Sequence, residues 1–60
     1  MSPAFSPGQW VIDTKRKTAP TVFAVIEGID IAYVLEDDDG DLYLEKESVL
    51  IPYDKYYFDN

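Results

Sequence analysis

Residues 31–52 of this 60-residue chain read IAYVLEDDDGDLYLEKESVLIP, and this stretch predicts a β-hairpin. Apolar and aromatic residues alternate with other residues on both sides of the aspartates, which is typical of strands with one buried face. Asp39-Gly40 favours a tight turn between the two strands, because glycine adopts a positive φ without a steric clash. A helix through four aspartates and a glycine would be poor. The sequence therefore predicts two antiparallel strands joined by an acidic, solvated loop.

Two more strands are expected before the hairpin and one after it. The turn signal Pro7-Gly8 opens the first, over residues 9–13, with Val11 pointing inward and both Trp10 and Ile12 on the other side. Residues 22–27, VFAVIE, are apolar on both faces, which indicates a strand that is central or covered on both sides. After the hairpin we expect one 3₁₀ turn and a brief last strand. Five short strands without a confident helix predict a small five-stranded antiparallel barrel.

The chain divides into three segments on this interpretation. Residues 1–6 form an extended lead-in, residues 7–53 the barrel, and residues 54–60 an aromatic, acidic C-terminal tail. Phe5 of the lead-in is expected to pack onto the core. A competing interpretation makes residues 53–58 a helical turn that Asp54 caps.

Composition excludes several classes of chemistry. The chain has neither cysteine nor histidine, so disulfides, thiolate or imidazole metal ligands and imidazole bases are absent. The acids cluster on one loop of a chain too small for a deep cleft, which argues against paired-carboxylate catalysis. We therefore expect a protein that is not an enzyme and that needs no cofactor or metal. The first ten residues do not resemble a signal peptide and no apolar run could span a bilayer, so a cytoplasmic location is expected.

The charge is unevenly distributed along the chain. The net charge is −7. Residues 1–26 carry a small net positive charge, and residues 27–60 carry a large net negative charge. Phosphate backbones and anionic membranes should repel such a protein. The expected partner is therefore a protein with a basic surface, and neither nucleic acid nor a membrane is expected to bind directly.

Turn and core residues form a spaced pattern along the chain: Pro7, Gly8, Val11, Tyr33, Leu35, Asp37, Gly40, Glu47, Ser48, Leu50 and Pro52. This pattern resembles the small SH3-like barrels, a group that includes Tudor-like and KOW-like domains and short bacterial and phage proteins. The resemblance covers residues 7–53. It implies a five-stranded SH3-like barrel whose loops and edge strands bind partners, and it implies no particular activity.

The aspartate loop does not fit a calcium-binding EF-hand. Aligning Gly40 with the glycine of that motif puts Leu35 at the first ligand position and Lys46 at the last, and strands flank the loop where helices are required. Weak cation binding by Asp37, Asp39 and Asp41 is the alternative to a plain solvated loop tip. The solvated tip is the preferred interpretation, since charge there also discourages edge-to-edge aggregation.

Exposed aromatic residues are the main candidates for partner binding. Tyrosine and tryptophan are favoured at protein interfaces, and so small a chain cannot bury all of its rings. The predicted partner-binding residues are Trp10, Tyr43, Tyr53, Tyr56, Tyr57 and Phe58. An aromatic cage for a methylated ammonium group, as in Tudor-like domains, is the less favoured alternative.

Two charged surfaces suggest further hypotheses. The predicted acidic face comprises Asp37, Asp38, Asp39, Asp41, Glu45 and Glu47, and the predicted basic loop comprises Lys15, Arg16 and Lys17. The acidic face could mimic a row of phosphates, which would make the protein an inhibitor of a DNA-binding protein. The basic loop could instead pair with the aspartate loop of a second copy and form a homodimer.

Overall fold

The computed structural model describes residues 2–59 and is all-β over that range. The strands are β1 (Val11–Asp13), β2 (Thr21–Glu27), β3 (Ile31–Glu36), β4 (Leu42–Lys46) and β5 (Leu50–Pro52), with a 3₁₀ helix at Glu47–Val49. These elements confirm the predicted five strands and the 3₁₀ turn that precedes the last one. Met1 of the predicted lead-in and Asn60 of the predicted tail lie outside the described residues.

The strands form two antiparallel sheets, β2-β3-β4 and β1-β5. An isolated bridge from Trp10 to Thr21 and a hydrogen bond from Val11 N to Pro20 O (3.1 Å) link β1 to the start of β2. Closure into a barrel would require β4 and β5 to pair, but a single 3₁₀ turn carries the chain from one sheet directly into the other. The described residues therefore form the five predicted antiparallel strands, but they do not close into a barrel.

The hairpin forms as predicted, and its loop is organised by Asp37. The backbone N–H of Asp37 donates to Asp41 O (3.0 Å), and Gly40 N donates to Asp37 O (3.0 Å). The Asp37 carboxylate accepts hydrogen bonds from the backbone N–H groups of Asp39 (3.0 Å) and Asp41 (2.9 Å). Gly40 has a φ of +82°, the left-handed conformation for which glycine was expected.

The core lies on the inner face of the three-stranded sheet. Its buried members are Phe5, Val11, Val22, Ile31, Tyr33, Leu35 and Leu50. The ring of Phe5 meets Tyr33 edge to face at 5.6 Å, which confirms that Phe5 packs onto the core. The Tyr33 hydroxyl accepts hydrogen bonds from Ala4 N (3.1 Å) and Phe5 N (3.2 Å) and donates to Glu47 Oε1 (2.8 Å). The predicted lead-in is thus held on the sheet from Ala4 onward.

Burial in β1 and β2 differs in part from the prediction. Ile12 is fully buried like Val11 but lies outside the core cluster that contains Val11, so the side of β1 away from Val11 is covered at Ile12, while Trp10 is 54% exposed. In β2, Phe23 is 56% and Ile26 45% exposed, so this strand is not covered on both sides. A β-bulge between Val22 and Ala24 shifts the pairing, and the described chain supplies no second layer over the outer face of β2.

The tail forms consecutive turns. Asp54 accepts a hydrogen bond from Tyr56 N at its carboxylate (2.9 Å) and one from Tyr57 N at its carbonyl (3.0 Å). Asp54 thus caps the turn in the manner of the competing interpretation, although the segment is not helical. Nowhere in residues 2–59 is there a helix with the length and apolar character needed to cross a bilayer.

Candidate functional site

The pairing of β1 with β5 brings two exposed aromatic residues together. Trp10 directly precedes β1 and Tyr53 directly follows β5, and Val11 lies opposite Pro52 in the register. As a result the rings of Trp10 and Tyr53 lie with their centroids 6.0 Å apart, tilted by 53°. Both side chains are about half exposed, at 54% and 49%. This pair, positioned by the pairing of β1 with β5, is one part of an aromatic surface.

The tail supplies three more rings. Tyr57 and Phe58 pack edge to face with their centroids 5.0 Å apart, and Lys55 Nζ lies 5.0 Å from the centre of the Tyr56 ring. All three rings are exposed. We refer to Trp10, Tyr53, Tyr56, Tyr57 and Phe58 as the aromatic surface. Their exposure is what partner binding requires, while the binding itself stays a prediction.

Tyr43, the sixth predicted partner-binding residue, is engaged elsewhere. Its hydroxyl donates to Asp13 Oδ2 (3.1 Å), and the Arg16 guanidinium lies 3.7 Å from the centre of its ring. Burial is the main cause that raises the pKa of Tyr43, a hydrogen bond with Thr18 opposes it, and the Asp13 carboxylate adds to the rise. With its ring half-buried and its hydroxyl bonded, Tyr43 is not part of the aromatic surface.

A buried carboxyl cluster surrounds Asp13 and was not foreseen from the sequence. Asp13 is fully buried, and Oδ1 accepts hydrogen bonds from the backbone N–H groups of Lys15 and Arg16 (both 3.0 Å). Glu45, only 9% exposed, lies against it, with Oε2 at 4.0 Å from Arg16 Nε. The carboxyl cluster consists of Asp13, Arg16, Tyr43 and Glu45, and it joins the turn after β1 to β4. It therefore ties the two sheets together.

The surroundings of Glu45 disfavour its ionised form. Burial raises its pKa, and a hydrogen bond with Asp13 and the charge of Asp13 raise it further, while Lys15 and Arg16 oppose the rise. A protonatable acid beside a second carboxylate resembles an acid–base pair, but substrate access is also required. A depression of about 400 Å³ in the described part of the chain is lined by other residues: Asp30, Ile31, Lys46, Glu47 and Ser48. Asp13 and Glu45 are themselves buried.

The predicted acidic face loses two of its members. Glu45 is buried in the carboxyl cluster, and Glu47 is half-buried, with Oε1 accepting hydrogen bonds from Ala4 N (2.7 Å) and the Tyr33 hydroxyl (2.8 Å). The four aspartates of the hairpin loop remain at the surface. One carboxylate oxygen from each of Asp37, Asp39 and Asp41 lies within 4.8 Å of the others. The hydrogen bonds that the Asp37 carboxylate accepts come from backbone N–H groups of the same loop.

The predicted basic loop is a tight turn closed on Asp13. Lys17 N (2.7 Å) and Thr18 N (3.2 Å) both donate to Asp13 O, and Lys17 has a φ of +60°. Lys15, Arg16 and Lys17 are exposed, but Arg16 folds over Tyr43 toward Glu45. Of the three basic side chains in this loop, Arg16 therefore makes contacts within the protein, with Tyr43 and Glu45.

Register explains why the carboxyl cluster escaped sequence analysis. Glu45 lies directly opposite Tyr33 across β3 and β4, so it shares the inner face with a core tyrosine. Combining strand alternation with the hairpin register would have placed it there. No model of a known family, no curated protein and no solved structure matches this chain, so its candidate site is defined by its own geometry.

Proposed function

We propose that the protein is a small, non-enzymatic interaction module of the cytoplasm that binds a protein partner through the aromatic surface. The carrying observation is the Trp10–Tyr53 pair, two large rings in contact with each other and each about half exposed. Tryptophan and tyrosine dominate the energetic centres of protein interfaces, because they bury a large area at a small cost in side-chain entropy. Three tail rings extend the same kind of surface.

Charge supports a basic partner within this proposal. The chain carries a net charge of −7, and the exposed aspartates of the hairpin loop concentrate part of it. Such a field accelerates encounter with a positively charged protein and disfavours acidic ones. The phosphate-mimic alternative is not favoured, since Glu45 and Glu47 are withdrawn from the row that it requires.

The fold that we propose for this module is an open relative of the SH3-like barrels. The order of five short strands, the acidic hairpin loop and the 3₁₀ turn before β5 support that relationship. In such a fold the sheet provides a rigid frame and the partner contacts fall on loops and edges. Trp10 and Tyr53, at the outer ends of β1 and β5, occupy positions of that kind.

A comparison of three baits tests the proposed function. Wild type, the double variant Trp10→Ala/Tyr53→Ala and the control Ile29→Ala are immobilised and exposed to extract of the source cells. Ile29 is a suitable control because it is a fully exposed apolar residue in the turn after β2, at 101% relative exposure. We expect a partner that is depleted at least tenfold on the double variant and retained on the control, and that then binds wild type after purification. Equal recovery of every protein on all three baits would contradict the proposal.

A further inference from the structure

The outer face of the three-stranded sheet is also apolar. Tyr33 and Leu35 point into the core, so their neighbours on β3 point away from it. The register then aligns three rows of outward residues across the sheet. The rows are Thr21, Glu36 and Leu42; Ala24, Val34 and Leu44; and Ile26, Ala32 and Lys46. We refer to these nine residues as the outer sheet face.

This composition departs from that of an ordinary solvated sheet. The outward side of an antiparallel sheet is usually polar, whereas six of these nine residues are apolar. Leu44 is 62%, Leu42 49% and Ile26 45% exposed, and the bulged Phe23 adds another exposed ring on β2. An apolar sheet face is normally buried against a second layer of structure, and residues 2–59 place none there. The face is therefore suited to a partner.

Dimensions select the kind of partner. Three strands about 4.8 Å apart and roughly 20 Å long present a face of on the order of 300 Å². One α-helix is about 10 Å wide, and 13 residues of it are roughly 20 Å long, so a single helix covers this face. A stable interface needs about 800 Å² on each side, so with any partner this face provides a small, transient interface. The net charge of −7 on each copy opposes self-association through it.

The charge around the outer sheet face determines which residues should flank the apolar stripe of that helix. Residues 21–46, which contain the sheet and its two turns, carry eight acids and a single base, Lys46. Glu45 is buried on the inner side, and the other seven acids are exposed or half-buried. A helix lying on the outer sheet face would be bordered by these carboxylates. Lysine or arginine residues beside its apolar stripe would complement them.

We propose that the outer sheet face docks one amphipathic helix of a partner protein, with basic residues flanking the apolar stripe of that helix. The helix supplies the second layer that residues 2–59 do not place on this face. At one corner of this face Thr21 lies opposite Trp10 of the aromatic surface, so the proposal is tested at Ile26 and Leu44, which lie in the other two rows.

Two synthetic helical peptides of 14 residues test the proposal. Both carry leucines along one face, and the remaining positions are lysine in one peptide and glutamate in the other. Titration of ¹⁵N-labelled protein is followed by amide chemical shifts. We expect the lysine peptide to shift the amides of β2, β3 and β4 with a dissociation constant on the order of micromolar, in the range of small transient interfaces. The glutamate peptide should bind at least tenfold more weakly.

Three variants separate docking on this face from general attraction of a basic peptide to an acidic protein. Ile26→Thr and Leu44→Thr keep good strand formers while removing exposed apolar surface, so both should fold. Each should weaken binding of the lysine peptide at least tenfold. Ile29→Thr makes the same kind of change off the sheet and should leave the affinity unchanged.

Four results would overturn the proposal: no saturable binding of the lysine peptide, equal binding of both peptides, equal affinity for all three variants, or shifts confined to Trp10 and Tyr53. A wild-type dimer in light scattering that Leu44→Thr converts to a monomer would also overturn it, because a second copy would then cover the face. None of these results affects capture through the aromatic surface, so failure of one proposal is distinguishable from failure of the other.

Discussion

The Tyr33 side chain links three segments of the fold. Its ring is fully buried, and its hydroxyl bonds two backbone amides of the N-terminal segment and the carboxylate of Glu47. Burial raises the pKa of Tyr33, and the hydrogen bond to Glu47 raises it further. One atom thus connects the N-terminal segment, β3 and the 3₁₀ helix.

The variant Tyr33→Phe tests how much the Tyr33 hydroxyl contributes to stability. We expect it to lower the free energy of unfolding by about 2 kcal/mol, because the buried amide of Phe5 loses its hydrogen-bond acceptor, whereas Ala4 N and Glu47 Oε1 keep the bond that they make with each other. Urea unfolding followed by the emission of Trp10 gives the value. Tyr56→Phe, on a ring that is 64% exposed, is the matched control and should leave the midpoint unchanged. Equal midpoints for the two variants would contradict the role given to the Tyr33 hydroxyl.

Glu45 makes stability depend on pH. Its folded-state pKa is raised, mainly by burial, so folding favours the protonated carboxyl. This contribution is fully present below the ordinary pKa of a glutamate and is lost as the pH rises through the raised value. Glu45→Gln imitates the protonated form at every pH. We expect its melting temperature at pH 7 to exceed that of wild type by a few degrees, with the difference vanishing at acidic pH.

A control for the net charge completes this experiment. Glu27→Gln removes the same charge from an exposed position at the end of β2. If Glu27→Gln reproduced the pH-dependent difference, general charge repulsion would explain it and the carboxyl cluster would not.

For individual residues, the exposure of aromatic side chains was easier to predict from the sequence than the burial of charged ones. Trp10 and the tail rings are exposed as expected, because a small chain has too little interior for all its rings. Burial of Asp13 and Glu45 was not predicted, because a buried carboxylate needs hydrogen-bond or charge partners. Here those partners come from three separate segments of the chain. Such convergence is a property of tertiary structure.

Among the elements, the β3–β4 hairpin depends most directly on one residue. Gly40 has a φ of +82°, and a Cβ added there would meet nothing within 4 Å. The cost of Gly40→Ala is therefore conformational alone, and we expect a loss of about 1 kcal/mol in the free energy of unfolding.

Gly28→Ala is the control from the preceding turn. Its added Cβ would lie 3.8 Å from Asp30 O, an ordinary contact, and Gly28 has no positive φ. We expect thermal unfolding at or slightly above the wild-type temperature for this variant. A loss equal to that of Gly40→Ala would show that backbone strain is not the cause.

Local patterns predicted the hairpin and the 3₁₀ turn because neighbouring residues determine both. The facing of β2 could not be predicted in the same way. The bulge between Val22 and Ala24 adds one residue to the strand and interrupts the period of two, so apolar residues on both faces did not mean cover on both faces. Only the placement of the other strands shows that residues 2–59 put no second layer on one side of this sheet.

For the whole molecule, the net charge of −7 implies mutual repulsion among the acids. The charge of −7 on a 60-residue chain is partly concentrated in the hairpin loop, where Asp38 and Asp39 are exposed. We expect Asp38→Asn/Asp39→Asn to raise the melting temperature at low salt and to have no effect at high salt, because ions screen the repulsion. Asp37→Asn should instead destabilise the protein at both, since it weakens the acceptor of two turn hydrogen bonds.

The number of strands was predictable for the whole chain, but barrel closure was not. Strand number follows from turn signals along the sequence, whereas closure depends on whether β4 and β5 meet in space. The aromatic surface was predicted by composition, and its fixed Trp10–Tyr53 pair arises only from the pairing of β1 with β5.

That pairing of β1 with β5 also sets the order of assembly in time. Val11 pairs with Pro52 and Asp13 with Leu50, across most of the chain, whereas β3 and β4 are joined by a short loop. Closing the longer loop costs more entropy, so we expect the hairpin to form early and β1 to pair with β5 late. Until then, Tyr33 and Leu35 should face water on the three-stranded sheet, which the β1-β5 sheet does not yet cover. A core truncation in β1, such as Ile12→Val, should therefore speed unfolding and leave the folding rate nearly unchanged, whereas Leu35→Ala should slow folding.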